Sequence, residues 1–139
     1  SKQTLESFLE KKQMEIISKA LSIIEAWFLN NQNCFADNNI CIIHADVHGD
    51  NMILSRNKII LLDWEFAKPG DPAFDLASLF MNHKLFSKQK SFVKKYAKKR
   101  GFTFKSVYSR FMFYQSMTNI ADIIYCVASA KEATKIKKR

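Results

Sequence analysis

The chain has 139 residues, 47% of them hydrophobic and 13% aromatic. That is enough for one compact domain with its own core and too little for two of ordinary size, and three glycines and two prolines exclude a disordered or fibrous chain. The formal charge of +9 is unevenly spread, because residues 1–83 carry seven Lys/Arg against eleven Asp/Glu while residues 84–139 carry fifteen against two.

From Thr4 to about Asn31 the apolar residues Leu5, Leu9, Ile16, Ala20, Ile24 and Trp27 recur every three or four positions, which predicts a long amphipathic helix. The Asn- and Asp-rich stretch 31–39 reads as a turn, and Ile40-Cys41-Ile42-Ile43 as a short buried strand. Two further strands are expected, at Met52-Ile53-Leu54 and over Lys58 to Leu62, joined by a hairpin turn at Ser55-Arg56-Asn57. Pro69-Gly70-Asp71-Pro72 marks a stop and a restart, with Asp71 as N-cap and Pro72 as the first residue of a helix to about Asn82. A helix from Ser87 to Arg100 should end at Gly101. The last begins near Thr103 with Val107, Phe111, Tyr114, Thr118, Ala121, Tyr125 and Ala128 on one stripe. The order of elements predicts an α+β fold that is mostly α-helical, with a small β-hairpin region.

Three cysteines, Cys34, Cys41 and Cys126, are too few and too widely spaced for a disulfide framework or a paired-thiol zinc site, which points to a reducing, cytoplasmic setting. No stretch is apolar enough to span a bilayer, so no membrane partner is expected. The run Lys94-Lys95 and Lys98-Lys99-Arg100 suggests contact with nucleic acid. Phe92, Val93 and Tyr96 interleave with it at helical spacing, however, and no recognition motif accompanies it, so a solvated helix face is preferred.

The densest polar cluster is His44-Ala45-Asp46-Val47-His48-Gly49-Asp50-Asn51, followed after the hairpin by Asp63-Trp64-Glu65. Loops just outside strand ends hold functional groups on a rigid base. Oxygen donors from Asp and Asn suit a hard cation such as magnesium. A hairpin that brings Asn51 and Asp63 to one end lets both touch a single ion, with Asp46 facing it. Isolated Asp, Asn and His residues in loops are commonly caps, turns or satisfied structural groups. That reading is preferred for His44 and Asp71, whereas the spacing of Asp46, Asn51 and Asp63 speaks against it.

His44-x-Asp46, then His48, Asn51 and Ile53, then Leu62-Asp63-Trp64-Glu65, then Gly70-Asp71-Pro72-Ala73-Phe74-Asp75-Leu76-Ala77, resembles the catalytic core of the aminoglycoside phosphotransferase and choline kinase family. In that family of small-molecule relatives of the protein kinases the blocks read His-Gly-Asp-Leu-His-Pro-Gly-Asn-Ile-Leu, Ile-Asp-Trp-Glu and Gly-Asp-Pro-Ala-Tyr-Asp-Leu-Ala. Ala45 stands where the family has Gly, and Gly49-Asp50 where it has Pro-Gly. The resemblance implies the C-terminal lobe of a protein-kinase-like fold, with ATP as phosphate donor and Mg2+ as cofactor. Asp46 would be the catalytic carboxylate that accepts or orients the proton of a substrate hydroxyl, and Asn51 and Asp63 the metal ligands. Ile53 and Leu62 would form an apolar floor under adenine, and Asp75 a buried carboxylate anchoring the catalytic loop. His44 would support the site, and His48 and Glu65 would either back it or face the substrate.

A kinase of this kind also has an N-terminal lobe with a glycine-rich turn, a strand lysine and a helix glutamate, and no segment here matches them. Residues 1–139 are therefore expected to be a single domain, the C-terminal lobe alone, as a fragment or a truncated relative that turns over little ATP by itself. The expected acceptor is a small hydroxyl compound such as an amino alcohol or an aminosugar, and a monomer is assumed. The aromatics after Asp75, among them Phe104, Tyr108, Phe111, Phe113, Tyr114 and Tyr125, suit an amine pocket less than they suit a core. One rival reading is a non-catalytic kinase-like binding module with a basic C-terminal surface. Another is a metal-dependent phosphoesterase, suggested by Asp46-Val47-His48-Gly49 and weakened by the spacing of Gly70-Asp71 from Asp75.

Overall fold

The structure, a computed structural model, describes residues 11–36, 40–82 and 86–136. It is mostly helical, with two small antiparallel sheets, an α+β arrangement. The chain divides into two compact units, residues 1–30 with 116–139, and residues 31–115. The second carries the polar cluster.

In the first unit, helix α1 (Lys11–Asn30) buries Ile17 rather than Ile16, which is 61% exposed. The covered line runs through Ile17, Ala20, Ile24 and Trp27, one position off the expected stripe at its start. Leu5 and Leu9 lie outside the described residues.

The second unit opens with a 3-10 turn, Gln32–Phe35, and strand β1 (Cys41–Ile43), whose Ile43 is buried while Ile42 faces outward. A second 3-10 turn, Gly49–Asn51, leads into β2 (Met52–Ser55), which pairs antiparallel with β3 (Lys58–Leu61). Arg56 and Asn57 form the two-residue connection with φ of 45° and 61°. That is the type I′ geometry whose twist matches the strands, and Asn tolerates it well.

A fourth strand, β4 (Lys68–Gly70), pairs antiparallel with β1, so the region expected as a plain stop is part of a ladder. Proline weakens a strand only where a neighbour needs its N–H, and a two-stranded sheet consists of edges. Gly70 leaves room for Ile43: a Cβ there would lie 2.5 Å from Ile43 Cδ1 and 3.0 Å from its Cγ1, so a larger residue requires that side chain to shift.

Helix α2 (Pro72–Asn82) packs against β1, and the complete burial of Ala73 and Ala77 lets backbone approach backbone. Its N-terminus is capped by Asp71, whose Oδ1 accepts the N–H of Ala73 at 2.9 Å. Leu76, Ala77 and Phe80 of α2 meet Val93 and Ala97 of α3 (Gln89–Arg100) and Val107 and Phe111 of α4 (Phe104–Ile136) in one core. Each fully buried aliphatic or aromatic side chain there contributes about 1.5–3 kcal/mol. The lysines of α3, Lys94, Lys95, Lys98 and Lys99, are exposed while Val93 and Ala97 are inside, the arrangement of a solvated basic face.

On α4 the predicted stripe holds through Thr118, misses at Ala121, which is exposed, and at Tyr125, which is 74% exposed while Ile120 and Ile124 are more covered, and meets the covered side again at Ala128 beside Val127. From Ser116 onward the helix belongs to the first unit rather than the second, so the covered side is set by a different packing environment than the one around Val107 and Phe111.

Gly101 ends α3 with φ of 73°, and its N–H together with that of Phe102 returns to the carbonyls of Lys98 and Ala97. This is the paired closure of a left-handed helix cap. Gly101→Ala is expected to lower stability by about 1 kcal/mol, read as a fall in the urea midpoint at unchanged slope.

Candidate functional site

The loop after β1 is held from below by Asp75, one turn into α2. Its Oδ2 accepts the backbone N–H of His44 at 2.8 Å and its Oδ1 that of Ala45 at 2.9 Å. His44 is fully buried. Its Nε2 lies 2.7 Å from the Leu62 carbonyl, which only accepts, so the ring proton is assigned to Nε2. Nδ1 is then left to accept the N–H of Asp46 at 3.3 Å. The His44 ring thus joins the loop to the end of the hairpin, and Trp64 lies against it with ring centroids 4.8 Å apart. The Trp64 indole N–H donates to the Leu61 carbonyl at 3.0 Å.

Asn51 is 9% exposed. Its Nδ2 donates to the backbone carbonyl of Asp46 at 3.1 Å and to Asp46 Oδ2 at 3.0 Å. Its own carbonyl accepts the N–H of Leu62 at 2.9 Å. Asn51 therefore stands beside Leu62 in the extension of the β2–β3 ladder, and Asp63 is the next residue. His48 Nε2 lies 3.3 Å from Asp46 Oδ2, and its Nδ1 lies 3.8 Å from the exposed Asp50 carboxylate. Glu65 is exposed in the turn that follows Trp64.

Two residues of the site have a left-handed backbone, Ala45 at φ 65° and Asp63 at φ 56°. Asp adopts that conformation at modest cost, whereas Ala pays for its Cβ with about 1–2 kcal/mol. A glycine at this position, as in the motif that the sequence resembles, would avoid that cost.

Alternation along the hairpin places Ile53, Ile60 and Leu62 on one face, with exposures of 48%, 47% and 39%. Ile60 was not singled out from the sequence, although its pairing with Ile53 follows once the two-residue turn fixes the register.

Among the described residues no three His, Cys, Asp or Glu side chains gather as a metal cluster. A donor set for a hard cation must include the amide oxygen of Asn51. Its NH2 group is engaged by Asp46, which leaves Oδ1 as the atom that could ligate, and with the Asp63 carboxylate it would offer the all-oxygen chemistry that magnesium takes. The residues present fit that ion.

Arg110 was not anticipated. It is 2% exposed on α4, with Nε 2.8 Å from Asp71 Oδ2, an ion pair without an aligned hydrogen bond. Its Nη1 donates to the Cys34 carbonyl at 2.7 Å and to Ser106 Oγ at 2.6 Å. Its signal was a lone cation between Val107 and Phe111 on the core stripe. Asp71, which the phosphoesterase reading needs as a ligand, is committed to this pair and to the helix cap.

The sequence model of the phosphotransferase enzyme family matches residues 5–113. Thiamine kinases of Salmonella paratyphi B, Salmonella newport and Salmonella heidelberg are each 46% identical to this chain over 39 residues, 28% of the chain and 14% of the relative. The match thus spans about a seventh of these relatives, well short of their whole length. No solved structure matches the chain.

Ala45→Gly is expected to raise stability by about 0.5–1 kcal/mol, the relief of the left-handed Cβ outweighing the added freedom of the unfolded chain, measured by urea denaturation. Burial, and then the negative Asp71, push the Tyr114 hydroxyl up to about 12. A proton held more tightly in the folded state stabilises it fully below pH 10, and that stabilisation is lost as pH rises from 10 through about 12. Absorbance titration should show Tyr114 ionising last among the tyrosines, and Tyr114→Phe should flatten the loss of stability in that window.

Proposed function

Because the chain belongs to the phosphotransferase enzyme family, we propose that residues 1–139 are the C-terminal, catalytic lobe of a protein-kinase-like small-molecule kinase. The complete protein then moves the terminal phosphate of ATP onto the hydroxyl of a small acceptor, an amino alcohol or an aminosugar. The observation that carries this reading is the position of Asn51. Its amide clasps both the carbonyl and the carboxylate of Asp46, and its backbone pairs with the residue next to Asp63. One buried residue thereby ties the candidate base, through its side chain, to the strand end that bears the second candidate ligand, through its backbone.

Asp46 uses Oδ2 for Asn51 and His48, which leaves Oδ1 to accept or orient the proton of the attacking hydroxyl. Asn51 Oδ1 and the Asp63 carboxylate would hold magnesium. When bound, that ion supplies charge neutralisation for the phosphates in a transfer whose loose transition state asks mostly for positioning. Ile53, Ile60 and Leu62 offer a flat apolar face suited to the adenine ring. His44 and Asp75 fix the loop, and His48 steadies Asp46. The thiamine kinases found as relatives add thiamine to the acceptors worth testing.

With the complete gene product, acceptor-dependent ATP consumption across thiamine, choline, ethanolamine and aminosugars should identify the substrate. Asp46→Asn is expected to lower kcat by about a hundredfold or more with KM for ATP little changed, and Asp63→Asn to raise the magnesium concentration needed for half-maximal rate. Undiminished turnover by Asp46→Asn would remove the reading. So would manganese-stimulated phosphoester hydrolysis without nucleotide, which belongs to the phosphoesterase alternative.

A further inference from the structure

Arg110 places a permanent positive charge in the core, and a buried charge persists only where partners compensate its lost hydration. The partners come from three separate segments. The Cys34 carbonyl belongs to the 3-10 turn Gln32–Phe35, Ser106 lies one turn earlier on α4, and Asp71 stands at the head of α2. The Asp71 carboxylate holds Oδ2 beside the guanidinium and Oδ1 on the N–H of Ala73, and it also accepts a hydrogen bond from the Tyr114 hydroxyl. Four residues on, Asp75 divides its own carboxylate between the N–H groups of His44 and Ala45. Those four residues span one helical turn, about 6 Å along the axis, and a single turn moves as a unit. Asp46 is the next residue after the two that Asp75 holds.

We propose that Arg110 is a positioning residue for the loop that bears Asp46. By fixing Asp71 it sets where the first turn of α2 stands, hence where Asp75 presents its oxygens, and hence the placement of Asp46. Only the catalytic consequence rests on the kinase reading; the mechanical coupling does not. Arg is suited to the task because its planar fork reaches a carboxylate and a carbonyl in fixed directions, which a lysine ammonium does not reproduce.

The test measures backbone amide hydrogen exchange residue by residue in this chain and in Arg110→Lys and Asp71→Asn. Asp71→Asn retains an oxygen to cap α2 while removing the charge that faces Arg110. In both variants the amides of His44 and Ala45 should exchange about tenfold faster or more relative to those of Val93 and Ala97, which report the core. In the complete enzyme the same variants should lose kcat by on the order of tenfold to a hundredfold at nearly constant KM for ATP. Equal acceleration at all four amides would mean that Arg110 serves stability alone, and unchanged exchange at His44 and Ala45 would mean that no coupling exists. Either result overturns the proposal. If Arg110→Lys does not fold, Asp71→Asn decides the matter by the same criterion. A selective rise in exchange in a protein that transfers no phosphate would uphold the coupling and overturn the kinase reading instead.

Discussion

The carboxylate of Asp75 accepts two consecutive backbone N–H groups at the end of β1, and the geometry of the site depends on that grip. A loop that leaves a strand has no ladder to satisfy its amides, and buried amides without partners are costly. Placing one carboxylate where both can donate solves the problem with a single side chain and fixes the direction in which the chain departs. The sharp turn that follows needs a left-handed residue at Ala45, after which Asp46 comes within reach of the Asn51 amide. The left-handed backbone at Asp63 lies at the other end of the same arrangement, where β3 hands over to Trp64. Conformations of this kind persist only where the surroundings over-determine them. Here the surroundings are the His44 ring, the Asn51 amide and the Asp75 carboxylate.

Beneath the loop, small residues do what large ones elsewhere in the core do by bulk. Ala73 and Ala77 bring α2 against β1, and Gly70 leaves room for the Ile43 side chain. Larger residues there would push the helix away and carry Asp75 out of hydrogen-bonding range. The aromatic part of the core, with Phe80 set edge-to-face against both Phe92 and Phe111, then holds α2, α3 and α4 together around that contact.

Much of the site was legible in the sequence because its residue types carry their own geometry. A two-residue turn, an N-capping Asp before Pro and a helix-ending Gly each specify a local conformation, and the spacing of Asp46, Asn51 and Asp63 around the turn at Arg56-Asn57 follows from the hairpin. What escaped was set by partners distant in the chain. Strand β4 is three residues long and contains a proline, so only its pairing with β1 makes it a strand. The burial of Ile17 in place of Ile16, and the drift of the covered face on α4, depend on what lies beside each helix and leave no trace in local spacing. Arg110 escaped for a similar reason. A cation on an apolar stripe reads as an exception until the carbonyl of Cys34, 76 residues away in sequence, is found against it.

The β2–β3 hairpin carries a consequence beyond the site. It is a two-stranded sheet with Leu54 76% exposed and Ile59 67% exposed on one face and Ile53 and Ile60 on the other. Among the described residues neither strand has a second neighbour. Free edges flanked by branched aliphatic side chains are templates for adding strands from other molecules. Lys58 and Arg56, at the tip, are the charges that oppose such stacking. Within this ribbon, the charge that opposes edge-to-edge pairing is carried by those two cations and is weakened by the ionic strength that screens them.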